Sequence, residues 1–381
     1  MTNQATFRIY AGDKYVDIKI ITKGICLEYL LEIEQDDVFE NSTYLKEPNS
    51  LYPEEIRSFL TAMKGIQIVK SEKYDAKIEV SQNDATSLNV TGNVLTLKLP
   101  ASLVENPKDR RRTLAGNLGL LYSLSLYLFE KKFGIVSYHS SALVDEKNKL
   151  IFINGGEASS GKSVIMLEYI SHYGRHSDYR VLSTEMGHFS IVNNEFTAYS
   201  GSFFDNVSLF PGEQDKIKLM NRLFPDSRLP DPNMETEVRG TDGSVKTAVS
   251  VKDYYACKPC YSSKDGYKLI YLMPAIKKGK KTKDPLVVEA DEFSGLFSSL
   301  VGVARQKLGQ KQPSWIYNEE ASLLLPVWHL AGEQNMEAKT IENSLKKDYL
   351  KAVVIIEGTP LDFNKKPGEY WRKIIDALNL K

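Results

Sequence analysis

The residues with the sharpest chemical meaning are Gly156-Glu157-Ala158-Ser159-Ser160-Gly161-Lys162-Ser163, which fit G-x-x-x-x-G-K-[ST] without a mismatch. That pattern answers a physical need. Glycines let the backbone curl until successive N–H groups converge on phosphate oxygens, and a helix that starts at the loop adds its positive end. Lys162 then reaches the β- and γ-phosphates, and the Ser163 hydroxyl ligates Mg²⁺. The expected nucleotide contacts are Gly156, Ala158, Ser159, Ser160, Gly161, Lys162, Ser163 and Val164, with ATP and Mg²⁺ as cofactors.

The loop works only if a strand leads into it and a helix leaves it. Leu150 to Ile153 is a short apolar run, and Val164 onward reads VIMLEYI, an apolar helical stretch. Upstream, Ile135 to Val144 reads as β-structure, with Tyr138 to Val144 on a strand of its own, separated from the next by a turn-like Asp145 to Lys149. Strand, hairpin, strand, phosphate loop departs from Ras-like and RecA-like order, where crossover helices follow the loop strand. Further strands are expected at Tyr179 to Leu182, His188 to Val192, Thr197 to Ser200 and Lys268 to Met273, giving a mixed sheet with few intervening helices.

On these residues the chain resembles the HPr kinase/phosphorylase family and its wider superfamily, which shares a P-loop core with PEP carboxykinases. The likeness covers about Arg110 to Met273. It rests on a helix ending Leu126 to Gly134, a strand with His139-Ser140-Ser141-Ala142 similar to a family signature, the apolar strand, the P-loop and its helix. Leu182-Ser183-Thr184-Glu185 stands where the family usually has an Asp-Asp pair. The resemblance implies that Glu185 is the base on an acceptor hydroxyl and a metal ligand beside Ser163. It implies that His139 lies near the γ-phosphate, where a protonated imidazole stabilises the transferring group. Thr184 in place of the first aspartate removes one charge from this set.

Other residues carry weaker signals. Arg239, in the glycine-bearing stretch Val238 to Gly243, is positioned in sequence to supply transition-state charge as arginine fingers do. Lys277, Lys278, Lys280, Lys281 and Lys283 surround Gly279 and read as a basic loop near the phosphate site, suited to a phosphate or a polyanionic acceptor. Cys257 and Cys260 have zinc-knuckle spacing but lack a second pair, since the only other thiol is Cys26.

With 381 residues the chain is long enough for two or three domains. The expected class is α/β (α+β), with a β-rich N-terminal domain over residues 1–105, an HPr kinase-like catalytic domain over 106–285 and a mainly helical segment over 286–381. Val16, Ile18 and Ile20 alternate with Asp17 and Lys19 after the turn at Ala11-Gly12-Asp13, and a second alternating pair flanks Thr91-Gly92-Asn93. Helices are expected over Arg110 to Lys132, Phe293 to Leu308 and Trp371 to Leu378, with a late strand at Ala352 to Ile356.

Lysine plus arginine equals aspartate plus glutamate at 49 each, so no global field draws the chain to nucleic acid or anionic lipid. The most apolar stretch, Leu114 to Phe129, contains Gly116, Asn117 and Gly119 and falls short of the ~20 residues of a bilayer crossing. Three cysteines and an N-terminal stretch without a charged-then-apolar profile give a cytoplasmic expectation. The functional expectation is an ATP- and Mg²⁺-dependent kinase acting on a hydroxyl of a small molecule or of a protein or peptide serine. A homo-oligomer is possible for this class. The alternatives are a non-catalytic regulatory ATP-binding protein and a PEP carboxykinase-like lyase.

Overall fold

The computed structural model describes residues 2–23, 66–81, 87–91, 94–100, 120–138, 140–155, 160–184, 187–193, 195–201, 204–209, 213–225, 245–256, 258–289 and 349–380. It is a mixed α/β structure, mostly strands, with three open sheets of mixed strand direction and a few helices. The described residues fall into two compact units, one reaching Ser137 and the other starting at Tyr138.

The first unit holds β1 (Thr2–Ala11), β2 (Lys14–Lys23), β3 (Ile66–Val69), β4 (Ala76–Ser81), β5 (Ser87–Thr91) and β6 (Val94–Pro100), in sheet order β3-β1-β2-β4-β6-β5. Ala11 pairs with Lys14, which leaves Gly12-Asp13 as a two-residue turn, and Gly12 takes φ 62°, a value that a side chain would resist. Val16, Ile18 and Ile20 are fully buried, as their alternation predicts. Asp17 is buried too, against the alternation. Arg8 explains it, because its guanidinium donates to both Asp17 carboxylate oxygens at 2.8 and 2.9 Å. Helix α1 (Leu120–Phe133) packs on β2, and Lys132 Nζ pairs with Asp75 at 2.7 Å. β7 (Ile135–Tyr138) follows.

The second unit is built on β8 (Ser140–Asp145), β9 (Leu150–Gly155), β10 (Tyr179–Ser183), β16 (Lys268–Ile276), β17 (Leu286–Glu289) and β18 (Leu350–Gly358). Their order is β10-β8-β9-β16-β18-β17. β8 and β9 form the expected antiparallel hairpin, while β9, β16 and β18 run parallel. Every residue of β9 is buried, which is why its sequence is a continuous apolar run rather than an alternation. The described part of 286–381 contributes two strands to this same sheet, so it is not helical throughout. The expected helix at Phe293 to Leu308 lies outside the described residues.

Helix α2 (Lys162–Tyr173) buries Ile165, Met166, Leu167, Tyr169 and Ile170 over Leu143, Phe152 and Val181. At about 1.5–3 kcal/mol for each large apolar side chain, that face fixes the helix and therefore its N-terminus. Glycine ends the helix at Gly174, whose φ is 61°. Helices α3 (Gln214–Leu223), α4 (Pro360–Lys365) and α5 (Glu369–Ala377) join the same core, α5 through Trp371. The Trp371 ring meets Phe152 and Tyr169 edge-on at 5.1 and 4.9 Å between centroids. The remaining strands are β11 (Gly187–Val192), β12 (Glu195–Tyr199) and β15 (Cys260–Ser262), antiparallel in the order β15-β12-β11, and a ribbon of β13 (Phe204–Leu209) with β14 (Val245–Ser250).

Candidate functional site

Strands β9, β10, β16 and β18 share one direction, so their carboxyl ends and the start of β8 lie along one edge of the sheet. Asn154 and Gly155 end β9 there, Ser183 ends β10 with Thr184 next in the chain, and Ser140 and Ser141 open β8. Ligands of open α/β sheets bind at such an edge.

The described end of the loop that matches G-x-x-x-x-G-K-[ST] is tightly determined. Gly161 has φ +105°, and a Cβ on it would stand 2.6 Å from the Ile276 Cβ. Only glycine fits, on both conformational and steric grounds. A Cβ on Gly155 would strike the Tyr271 hydroxyl. β9 pairs with β16 only as far as Asn154 opposite Leu272. Pro274 follows, where a missing N–H breaks no bond to β9. Beyond it the Ile276 N–H donates to the Ser160 carbonyl at 2.8 Å.

Asn154 ties the loop to the strand from below. It is fully buried, and its Nδ2 donates to the Ser141 Oγ at 2.9 Å and to the Lys162 carbonyl at 2.7 Å. The first turn of α2 is therefore held by a side chain as well as by the chain path. The polar residue at the end of the apolar run Leu150 to Ile153 was the available sequence signal for this role. Among the described residues, Asn154 Oδ1, Ser160 Oγ and Ser183 Oγ are buried without a hydrogen-bond partner. Three such atoms lie at this edge, and the Ser171 Oγ on α2 is another away from it.

Lys162, Ser163 and Val164 are partly open, whereas Ile165 to Ile170 is buried, so α2 offers its first turn outward. Its N-cap is Gly161, which carries no side chain to cap the turn, and no acidic residue lies in the first turn. The first N–H groups of a helix and the positive end of its dipole favour an anion. Further along α2, Glu168 is buried and accepts from the Tyr370 and Trp371 N–H groups at 3.0 and 3.3 Å. Burial pushes its carboxyl up to about 7 despite those bonds. His188 on β11 is fully buried, and burial pushes its imidazole down to about 4, so it is neutral at pH 7.

Of the residues expected from sequence, Ser160, Gly161, Lys162, Ser163 and Val164 come together at this edge. Gly156, Ala158, Ser159, His139, Glu185 and Arg239 lie outside the described residues. The chain neighbours Ser140 and Thr184 stand on the same edge, and a Cβ on Gly187 would come within 2.5 Å of the Ser140 Oγ. Among the described residues no three His, Cys, Asp or Glu side chains group as a metal site. Cys260 is partly exposed on β15 and forms no disulfide, and Cys257 lies outside the described residues. No described helix is long and apolar enough to cross a membrane. No protein-family model matches the chain, and no curated protein matches it.

Proposed function

We propose that the protein is an ATP- and Mg²⁺-dependent kinase that transfers the γ-phosphoryl group to a hydroxyl acceptor, on a core of the HPr kinase/PEP carboxykinase type. The observation that carries this reading is the placement of the first turn of α2, which opens at Gly161 and contains Lys162 and Ser163, at the sheet edge by Asn154 and by the Ile276 N–H. The hairpin of β8 and β9 ahead of the loop agrees with the strand order of that superfamily as the sequence suggested it.

The residues present fit the nucleotide and its metal. The buried, unpartnered Ser160 Oγ and the glycine that alone fits at 161 suit a loop whose polar groups close on phosphate. Lys162 would hold the β- and γ-phosphates, and Ser163, with Glu185, would hold Mg²⁺, which supplies charge neutralisation at the transferring group. Glu185 would take the acceptor proton, with His139 and Arg239 as the further sources of positive charge. In-line transfer asks for positioning and electrostatics rather than covalent chemistry from the protein. The neutral net charge supports a small acceptor over extended nucleic acid, and the low cysteine content supports a cytoplasmic setting.

Thr184, buried at the end of β10 where the superfamily places an aspartate, favours one second reading, a regulatory protein that binds ATP without turning it over. The deciding experiment measures Mg-ATP binding and ADP release for wild type, Lys162→Ala and Glu185→Ala, with a panel of hydroxyl compounds and peptides. A kinase shows acceptor-dependent ADP release that Glu185→Ala abolishes while ATP still binds. Tight binding with no acceptor-dependent turnover across the panel selects the regulatory reading, and absence of Mg-ATP binding refutes both.

A further inference from the structure

The turn between β16 and β17 leaves the sheet beside the phosphate loop, since the residue before it, Ile276, is the one whose N–H binds the Ser160 carbonyl. Its base is fixed on the other side. Lys277 N–H donates to the Gly358 carbonyl at 2.9 Å, Lys283 N–H to the Glu357 carbonyl at 3.2 Å, and Thr282 Oγ1 to Asp362 Oδ2 at 2.7 Å. The tip closes through Lys280 N–H to the Lys277 carbonyl at 3.1 Å, with Gly279 at φ +82°. Lys277, Lys278, Lys280 and Lys281 are all exposed.

Charge is unevenly used in this turn. Lys283 Nζ is paired with Glu357 at 2.5 Å, Asp362 is engaged by Thr282, and Asp284 is paired with Lys373 at 2.8 Å. The other four ammonium groups have no ion-pair partner within 4.0 Å among the described residues, although Lys280 is close enough to lower the proton affinity of Glu357, so a chain of zero net charge concentrates four exposed cations on one fixed turn. Mg-bound nucleoside triphosphate carries only about two net negative charges, which Lys162 and the roughly half charge of the α2 N-terminus nearly offset. Four further cations exceed what the nucleotide needs.

We propose that the turn Lys277 to Lys281 is a second anion site that recognises a phosphate-bearing small acceptor, a compact polyanion. This rests on the kinase reading of the neighbouring loop and names the substrate class for it. Compactness favours such a molecule over a nucleic acid. A polymer of phosphates asks for a basic stripe along its track, whereas these four lysines sit within one turn.

The test is calorimetric titration of inositol hexakisphosphate into the full chain saturated with Mg-AMPPNP, with Mg²⁺ in excess, at 50 and 200 mM salt. Wild type is compared with Lys277→Gln/Lys278→Gln, Lys280→Gln/Lys281→Gln, the fourfold variant, and Lys147→Gln as an exposed control elsewhere. The expected result is binding with the nucleotide in place, weakened on the order of tenfold or more in the fourfold variant and by higher salt, with each double variant intermediate. Mg-AMPPNP affinity should stay within about threefold throughout. The proposal is overturned if the fourfold variant binds the probe as wild type does, if Lys147→Gln weakens it equally, or if the nucleotide affinity falls in step, which would make the lysines part of the nucleotide site. Failure of Mg-AMPPNP to bind wild type at all would instead refute the nucleotide reading, and this inference with it.

Discussion

Replacing Glu168 with glutamine tests whether α2 and the C-terminal helix α5 are joined by a carboxyl group that carries a proton. Glu168 lies on the buried face of α2 and accepts from two N–H groups at the start of α5, with the Glu369 carboxylate nearby raising its proton affinity further. Gly368 opens α5 at φ +86°, and a Cβ there would stand 2.9 Å from the His172 backbone nitrogen, so the two helix segments are in close contact. The His172 Nδ1 lies 3.1 Å from the Gly368 carbonyl, and burial is the largest influence lowering its proton affinity. Arg372 lowers it further, whereas Asp376 opposes both.

Folding raises the Glu168 carboxyl from 4.5 to about 7. Between those values the native state holds a proton that the unfolded chain has released, so the stabilisation is complete below pH 4.5 and is lost as pH rises through 7. At about 1.4 kcal/mol for each tenfold change in proton affinity, the total is about 3 kcal/mol, of which some 2 to 3 kcal/mol falls between pH 5 and 8. Glutamine keeps the shape and an acceptor oxygen but never ionises. Urea denaturation followed by circular dichroism at pH 5, 6, 7 and 8 should show Glu168→Gln gaining on wild type by that amount across the range. Hydrogen exchange of the peptide 366–378 should report the same gain locally. A difference between the two proteins that stays constant from pH 5 to 8 would refute the reasoning, because it would mean that the native carboxyl is ionised throughout.

Three further outcomes follow from the packing. Gly161→Ala forces a side chain into a left-handed backbone against Ile276 and should abolish Mg-ATP binding, measured by calorimetry, at a stability cost of about 1–3 kcal/mol. Asn154→Ala removes the bonds to the Lys162 carbonyl and the Ser141 Oγ and should cost about 1–3 kcal/mol in urea denaturation while weakening Mg-ATP severalfold; unchanged nucleotide affinity would mean that Asn154 does not position the loop. Trp371→Ala empties the space between Phe152 and Tyr169 and should cost about 3–5 kcal/mol, read from the denaturation midpoint, whereas Trp371→Phe should recover much of it.

The sequence by itself determined the local chemistry of this protein. The pattern G-x-x-x-x-G-K-[ST] is legible because its glycines, lysine and serine must be contiguous, and the hairpin of β8 and β9 is legible because an apolar run must be broken by a turn. The alternation around Val16 to Ile20 placed those side chains in a core for the same local reason, a period of two. Asp17 broke that rule only because Arg8, on the neighbouring strand, satisfies it, and cross-strand partners are invisible in one segment. Tertiary structure alone decided that β18, far along the chain, pairs with β16 in the same sheet as the loop strand, since parallel pairing depends on burial of both faces and not on sequence proximity. It also decided that Ile276 clips the loop, that Asn154 reaches Lys162, and that a carboxyl group of α2 is buried against α5. Each of these joins segments distant in sequence or depends on how the chain curls back, where no local pattern records the distance.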